Sequence, residues 1–85
     1  MTLSENIREF TFDGSGNYRI RVQGYLDDSW SERLAGMYIT IKHREEHRIL
    51  TTLVGRLEDQ AELAGVLNTL YELHLPLLSV KYLDD

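Results

Sequence analysis

Three short stretches and one isolated histidine carry side chains whose types and spacing could do chemistry. His43-Arg44-Glu45-Glu46-His47 spells H-x-x-E-H, which on a helix sets two imidazoles on one face to hold zinc while the glutamate polarises a water. Here the motif joins two β-like runs, so a charged hairpin connection is the expected role, with no metal and no effect of a chelator. Asp27-Asp28-Ser29-Trp30 places two carboxylates beside an indole, a pair that could serve as acid and base if burial raised one pKa. Capping of a helix by Asp28 or Ser29, with Trp30 in the core, is the preferred account. Asp13-Gly14-Ser15-Gly16-Asn17 has too few ligands for a calcium loop and no Lys or following helix for a phosphate loop, and reads as a turn. His74 falls at an expected helix end, where positive charge suits the dipole. No catalytic residue and no cofactor follow from these stretches.

The second kind of candidate is a surface. Tyr18, Ile20 and Val22 alternate with Arg19, Arg21 and Gln23, the period-two pattern of a strand with one buried face. Met37, Ile39 and Ile41 alternate with Tyr38, Thr40 and Lys42, and after the charged stretch Ile49 to Gly55 is β-branched and apolar, so these two strands should form a hairpin. The accessible face would then present Arg19, Arg21, Gln23 and Tyr25 from one strand and Tyr38, Thr40 and Lys42 from the next. With Asp27 and Trp30 beside it, Arg19, Arg21, Tyr25, Tyr38 and Lys42 complete the set of candidate binding residues. Tyr25, Tyr38 and Leu53 on an uncovered face would leave more apolar surface than a small monomer usually exposes.

Two helices must position these strands. Ser29 with Glu32 has capping-box form, Trp30 and Leu34 are four apart, and Gly36 suits a left-handed helix end, which predicts a short helix there. Asp59 with Glu62 is a second box; Leu63, Val66, Leu67, Leu70 and Leu73 recur at three- and four-residue steps and form a core stripe. Pro76 disfavours helical backbone at Leu75, so the helix should stop near His74 and Leu77 to Leu83 should be the last strand. On the helix's other side, Ala61, Ala64, Gly65 and Asn68 either admit a close neighbour or are ordinary exposed residues. The order strand, helix, strand, strand, helix, strand predicts an α+β fold: a ferredoxin-like βαββαβ sandwich, a four-stranded antiparallel sheet with two helices on one face. Residues 18–83 form that single domain. Residues 1–17 are a tail or an edge strand, in which Phe10 and Phe12 alternate and Arg8 to Asp13 could pair with the next strand.

Composition narrows the functions. The 85 residues carry nine Lys and Arg against fourteen Asp and Glu, net charge -5, which disfavours a general polyphosphate binder. Zero cysteines remove disulfides, thiolate chemistry and Cys-based zinc sites, and suit a reducing compartment. No apolar run approaches twenty residues and Met1 to Asn17 lacks signal-peptide form, so a cytoplasmic, non-membrane protein is expected. Chains of this size often gain burial by association, and a homo-oligomer is expected.

GYLDDSWSERLAG, with a Trp-Ser pair after Gly-x-Leu-Asp, and TTLVGRLEDQAELAGVLNTLYELHLPLLSV, with Asp-Gln-Ala-x-Leu-x-Gly opening a helix, resemble a family of small bacterial proteins without settled function. The resemblance covers about residues 18 to 82 and implies the fold but no reaction; the first 17 residues depart from the shorter members. By fold analogy the chain is similar to dimeric domains of the amino-acid-binding ACT type, which implies a non-enzymatic, homo-oligomeric interaction or small-ligand-sensing module working through its free sheet face or dimer interface, with a small ligand or another protein as partner. The alternative is a small dimeric α+β barrel enzyme, monooxygenase- or isomerase-like, with a pocket near Trp30, Tyr25 or Asp27. The basic and aromatic face is also similar to that of RNA-recognition domains, but the RNP octapeptide is missing and the acidic balance opposes it, so nucleic acid is not an expected partner.

Overall fold

The computed structural model describes residues 15–44 and 48–83. Along the chain lie β1 (Gly16–Gln23), a 3-10 helix (Asp28–Leu34), β2 (Tyr38–Arg44), β3 (Arg48–Leu57), α1 (Gln60–Glu72) and β4 (Leu77–Tyr82). The strands form one sheet in the order β2-β3-β1-β4, each antiparallel to its neighbours. This is an α+β fold, one sheet and two helices. The strand expected over Arg8 to Asp13 lies outside the described residues, and β1 has β3 on one edge and β4 on the other.

The core follows the alternation. Tyr18, Ile20 and Val22 of β1 face inward with Ile39 of β2 and Leu53 and Leu57 of β3, and Leu34, Val66 and Leu70 of the helices cover them. Leu53 was expected on the uncovered face. It is fully buried because it pairs with Ile20 and Ile39, both inward residues, and the residues on either side of that position, Thr52 and Val54, take the outer face instead. Thr51, the buried polar residue of the core, donates its hydroxyl to the Gly24 carbonyl at 2.6 Å. Gly55 lies where β3 passes the start of β2, and a Cβ there would sit 3.2 Å from the Met37 Cα.

Both helices begin on an aspartate. Asp59 Oδ1 accepts the Glu62 N–H at 2.8 Å, as the sequence predicts, while Glu62 Oε1 reaches back to the Glu58 N–H at 2.7 Å, one residue beyond the expected partner. The first helix departs further. Its cap is Asp27, not Asp28 or Ser29: Asp27 Oδ1 accepts the Ser29 N–H at 2.9 Å, and the Asp27 carbonyl accepts the Trp30 N–H at 3.0 Å. A side-chain bond two residues ahead and a backbone bond three ahead wind the tighter 3-10 turn. The helix ends on two left-handed residues, Ala35 at φ 60° and Gly36 at φ 72°.

α1 ends at Glu72, two residues before the expected stop. Leu75 N–H bonds the Leu70 carbonyl and His74 N–H bonds the Tyr71 carbonyl, a Schellman closure that puts His74 in the left-handed region at φ 61°. The backbone, not the imidazole, therefore satisfies this helix end. Val66 and Leu70 are buried and Leu63, Leu67 and Leu73 pack against the core, which is the expected stripe. Ala61, Ala64, Gly65 and Asn68 are exposed, and a Cβ on Gly65 would meet nothing within 4 Å. No helix among the described residues is long and apolar enough to cross a membrane.

Candidate functional site

Antiparallel register turns the strand sequences into a map of the outer sheet face. Crossing from β2 to β4, one row is Tyr38, Val54, Arg19 and Lys81, and the next is Thr40, Thr52, Arg21 and Ser79. Lys42, Leu50 and Gln23 form a third row on β2, β3 and β1, and Asn17 with Arg56 lies beyond the first. Arg48 continues the same side of β3 two residues before Leu50. Among the described side chains, six cationic ones therefore share this face: Arg19, Arg21, Lys42, Arg48, Arg56 and Lys81. None of the four strands contains an Asp or Glu.

The acids of the described residues lie elsewhere. Asp27, Asp28, Glu32, Glu62 and Glu72 sit on the two helices or their caps, with Glu58 and Asp59 in the turn between β3 and α1. Glu58 Oε2 approaches the rim residue Arg56 at 3.7 Å with both side chains exposed, a contact worth little in water.

At the centre of the face, Arg19 is partly buried and its Nε has no hydrogen-bond partner among the described residues. A buried guanidinium donor left unpaired is costly, and an acceptor oxygen from outside the chain would relieve it. The Tyr38 ring on β2 is 71% exposed. A base-stacking or apolar ligand group would meet it without rearrangement.

Of the residues singled out by sequence, Arg19, Arg21, Tyr38 and Lys42 come together on this face. Tyr25, Asp27 and Trp30 do not belong to it. The strand ends at Gln23, and Gly24 at φ 119° turns the chain before Tyr25, so the alternation that placed Tyr25 beside Arg21 has stopped. Trp30 packs against the core with the Arg33 guanidinium 5.3 Å from its ring centroid. The Ser29 backbone N–H holds the Asp27 carboxyl below the usual carboxylate range against an opposing desolvation, with smaller help from the Asp28 and Ser29 side chains. That is a cap and not an acid with a raised pKa. A depression of about 340 Å³ beside the 3-10 helix is lined by Asp28, Ser31, Gly36, Met37, Tyr38 and Ile39, without Trp30, Tyr25 or Asp27. Within it, Ser31 Oγ donates to the Met37 carbonyl at 2.7 Å.

Sequence reasoning missed Arg48, Arg56 and Lys81, whose facing depends on the hairpin register and on the full length of β3 and β4. The signal that could have found them is the absence of acids from every strand-like run. His43 lies in β2 opposite Ile49, so it is strand and not the helix that a zinc motif needs; His47 lies outside the described residues. Among the described residues no group of three or more His, Cys, Asp or Glu is arranged to hold a metal ion.

β4 contributes a second surface. Among the described strands it lies at an edge of the sheet, and Leu77 (51% exposed), Leu78 (49%) and Val80 (40%) are open to solvent. Val80 and Leu77 pair with the inward residues Ile20 and Val22, and the register shifts between Arg21 and Val22. The two described helices cover the inward residues of β2, β3 and β1 and leave Leu77 and Val80 exposed.

The fold and its face define a small α+β domain with an acid-free sheet. The chain belongs to a family of domains of unknown function, DUF8691, whose family model matches residues 17–81. No curated protein and no solved structure matches the chain at a significant level.

Proposed function

We propose that this protein is a non-enzymatic, homo-oligomeric interaction module that receives an anionic partner on its free sheet face. The observation that carries this is the charge of the sheet: among the described residues its four strands contain no Asp or Glu and bring six cationic side chains onto one face. Like charges brought together on one face repel one another, and an anionic partner offsets that repulsion.

Association rests on β4. Among the described strands β4 is an edge, and its apolar Leu77 and Val80 with a backbone row that no described strand pairs make it a template for another strand. Pairing of two β4 strands would join two sheets and unite their cationic faces. The ferredoxin-like assignment of the βαββαβ chain belongs to the same proposal; it is supported by the element order and by β2-β3-β1-β4 neighbours. So do a bacterial origin, which the two sequence motifs favour, and a cytoplasmic location, which the cysteine-free chain favours.

Two measurements test this reading. Light scattering should give at least twice the protomer mass, and Leu77→Lys with Val80→Lys should give a folded monomer. A heparin column should retain the protein at pH 7.4 despite its net negative charge, and Arg21→Glu with Lys42→Glu should abolish retention. A monomeric wild type that passes through heparin would overturn the proposal.

A further inference from the structure

The partner's chemistry can be narrowed, given the anion-binding face of the preceding section. We infer that it is a single-stranded nucleic acid, with phosphates taken by Arg19, Arg21, Lys42 and Lys81 and a base stacked on Tyr38. Three observations lead there.

The first is the orphaned donor. Arg19 Nε is buried without a partner among the described residues in the middle row of the face, two strands from Tyr38 and next to Lys81 on β4. Guanidinium groups fit phosphate oxygens through paired donors, and Arg21 repeats the group about 7 Å further along β1. The second is the exposed Tyr38 ring, in the same cross-strand row as Arg19 and Lys81. A chain with charges and flat rings in alternation uses both ends of that row, which is how single strands are held when sequence is not read. A carboxylate-rich peptide would use the cations and leave the ring idle. The third is shape. Four strands spaced about 4.8 Å apart span about 14 Å between outer strand axes, too broad for a duplex major groove about 12 Å wide, which admits a helix or a two-stranded ribbon.

The described acids do not oppose this at working salt. They cap or line the helices, or lie in the turn before α1, the helical layer is about 10 Å behind the sheet, and the screening length at physiological ionic strength is about 8 Å. A strand lying on the outer face therefore meets the cations first and those acids only through screened solvent.

The test is fluorescence anisotropy with labelled twelve-residue oligo(dT) and oligo(rU), and with a labelled duplex of equal length. Micromolar binding of a single strand is expected. With three or four phosphates neutralised, raising salt from about 50 to 200 mM should weaken it roughly 20- to 50-fold. Arg21→Glu with Lys42→Glu should weaken binding at least tenfold, Tyr38→Ala at least about fivefold, and Arg33→Glu on the 3-10 helix should change nothing. Circular dichroism confirms that each variant is folded. Equal or tighter duplex binding, or Tyr38→Ala without effect while polyglutamate competes as well as the oligonucleotide, overturns the nucleic-acid inference and leaves the anion-binding reading standing. No binding to the oligonucleotides or to heparin overturns both.

Discussion

Two glycines give a paired test of how this backbone is built, because a side chain would have room at both and the backbone differs. A Cβ added to Gly65 or to Gly36 meets nothing within 4 Å. Gly65 lies within α1 at ordinary helical angles, exposed to water. Alanine there should stabilise the fold by about 0.8 to 1 kcal/mol, the difference in helix propensity. Gly36 sits at φ 72° directly after Ala35 at φ 60°. Alanine in the left-handed region costs about 1 to 2 kcal/mol, of which about 0.4 to 1 is recovered through a less flexible unfolded chain, for a net loss near 0.5 to 1. The two variants should therefore differ by about 1.5 to 2 kcal/mol in opposite directions. Urea denaturation followed by far-UV circular dichroism measures this, with m unchanged in both; the Gly65→Ala midpoint on heating should rise by about 4 to 8 °C. A Gly36→Ala protein as stable as Gly65→Ala would refute the conformational argument. A destabilised Gly65→Ala protein would instead restore the close-approach account of the small-residue stripe and place a neighbouring chain against α1.

Two further outcomes are expected. Trp30 is partly buried and braced by Arg33, so Trp30→Ala should lose about 2 to 3 kcal/mol, combining reduced burial with a lost cation–π contact. Leu34, fully buried in the same helix, should lose at least as much on change to Ala, and a Trp30→Ala protein that is the less stable of the two in matched urea titrations would contradict the packing described. The Asp27 carboxyl is depressed in the folded state, so its contribution is present above the unfolded pKa near 4 and is lost as pH falls through the lower folded value. Asp27→Asn should therefore flatten that part of the pH–stability profile, and an unchanged acid limb would show that the cap does not titrate as described.

Period-two alternation in β1 and β2, the Asp59 cap and the leucine stripe of α1 were legible in the sequence because each depends on neighbours along the chain. The same local logic failed where a bond to another residue outcompeted it. Asp27 reached Ser29 before the Ser29–Glu32 box could form, and Gly24 ended β1 before Tyr25 could join its face. Leu53 shows the same limit within a strand. Its run is β-branched or apolar on both sides, Leu50 to Val54, so alternation could not say which residues face inward, and pairing with Ile20 and Ile39 decided it. The candidate face was half visible for the same reason. Arg19, Arg21, Tyr38 and Lys42 follow from their own strands, whereas Arg48, Arg56 and Lys81 join them only once strand order and register bring four segments side by side. Net charge is a sum over residues and is complete in the sequence. That the cations of four acid-free strands share one face of the sheet is a matter of direction in space, and only the tertiary structure supplies that.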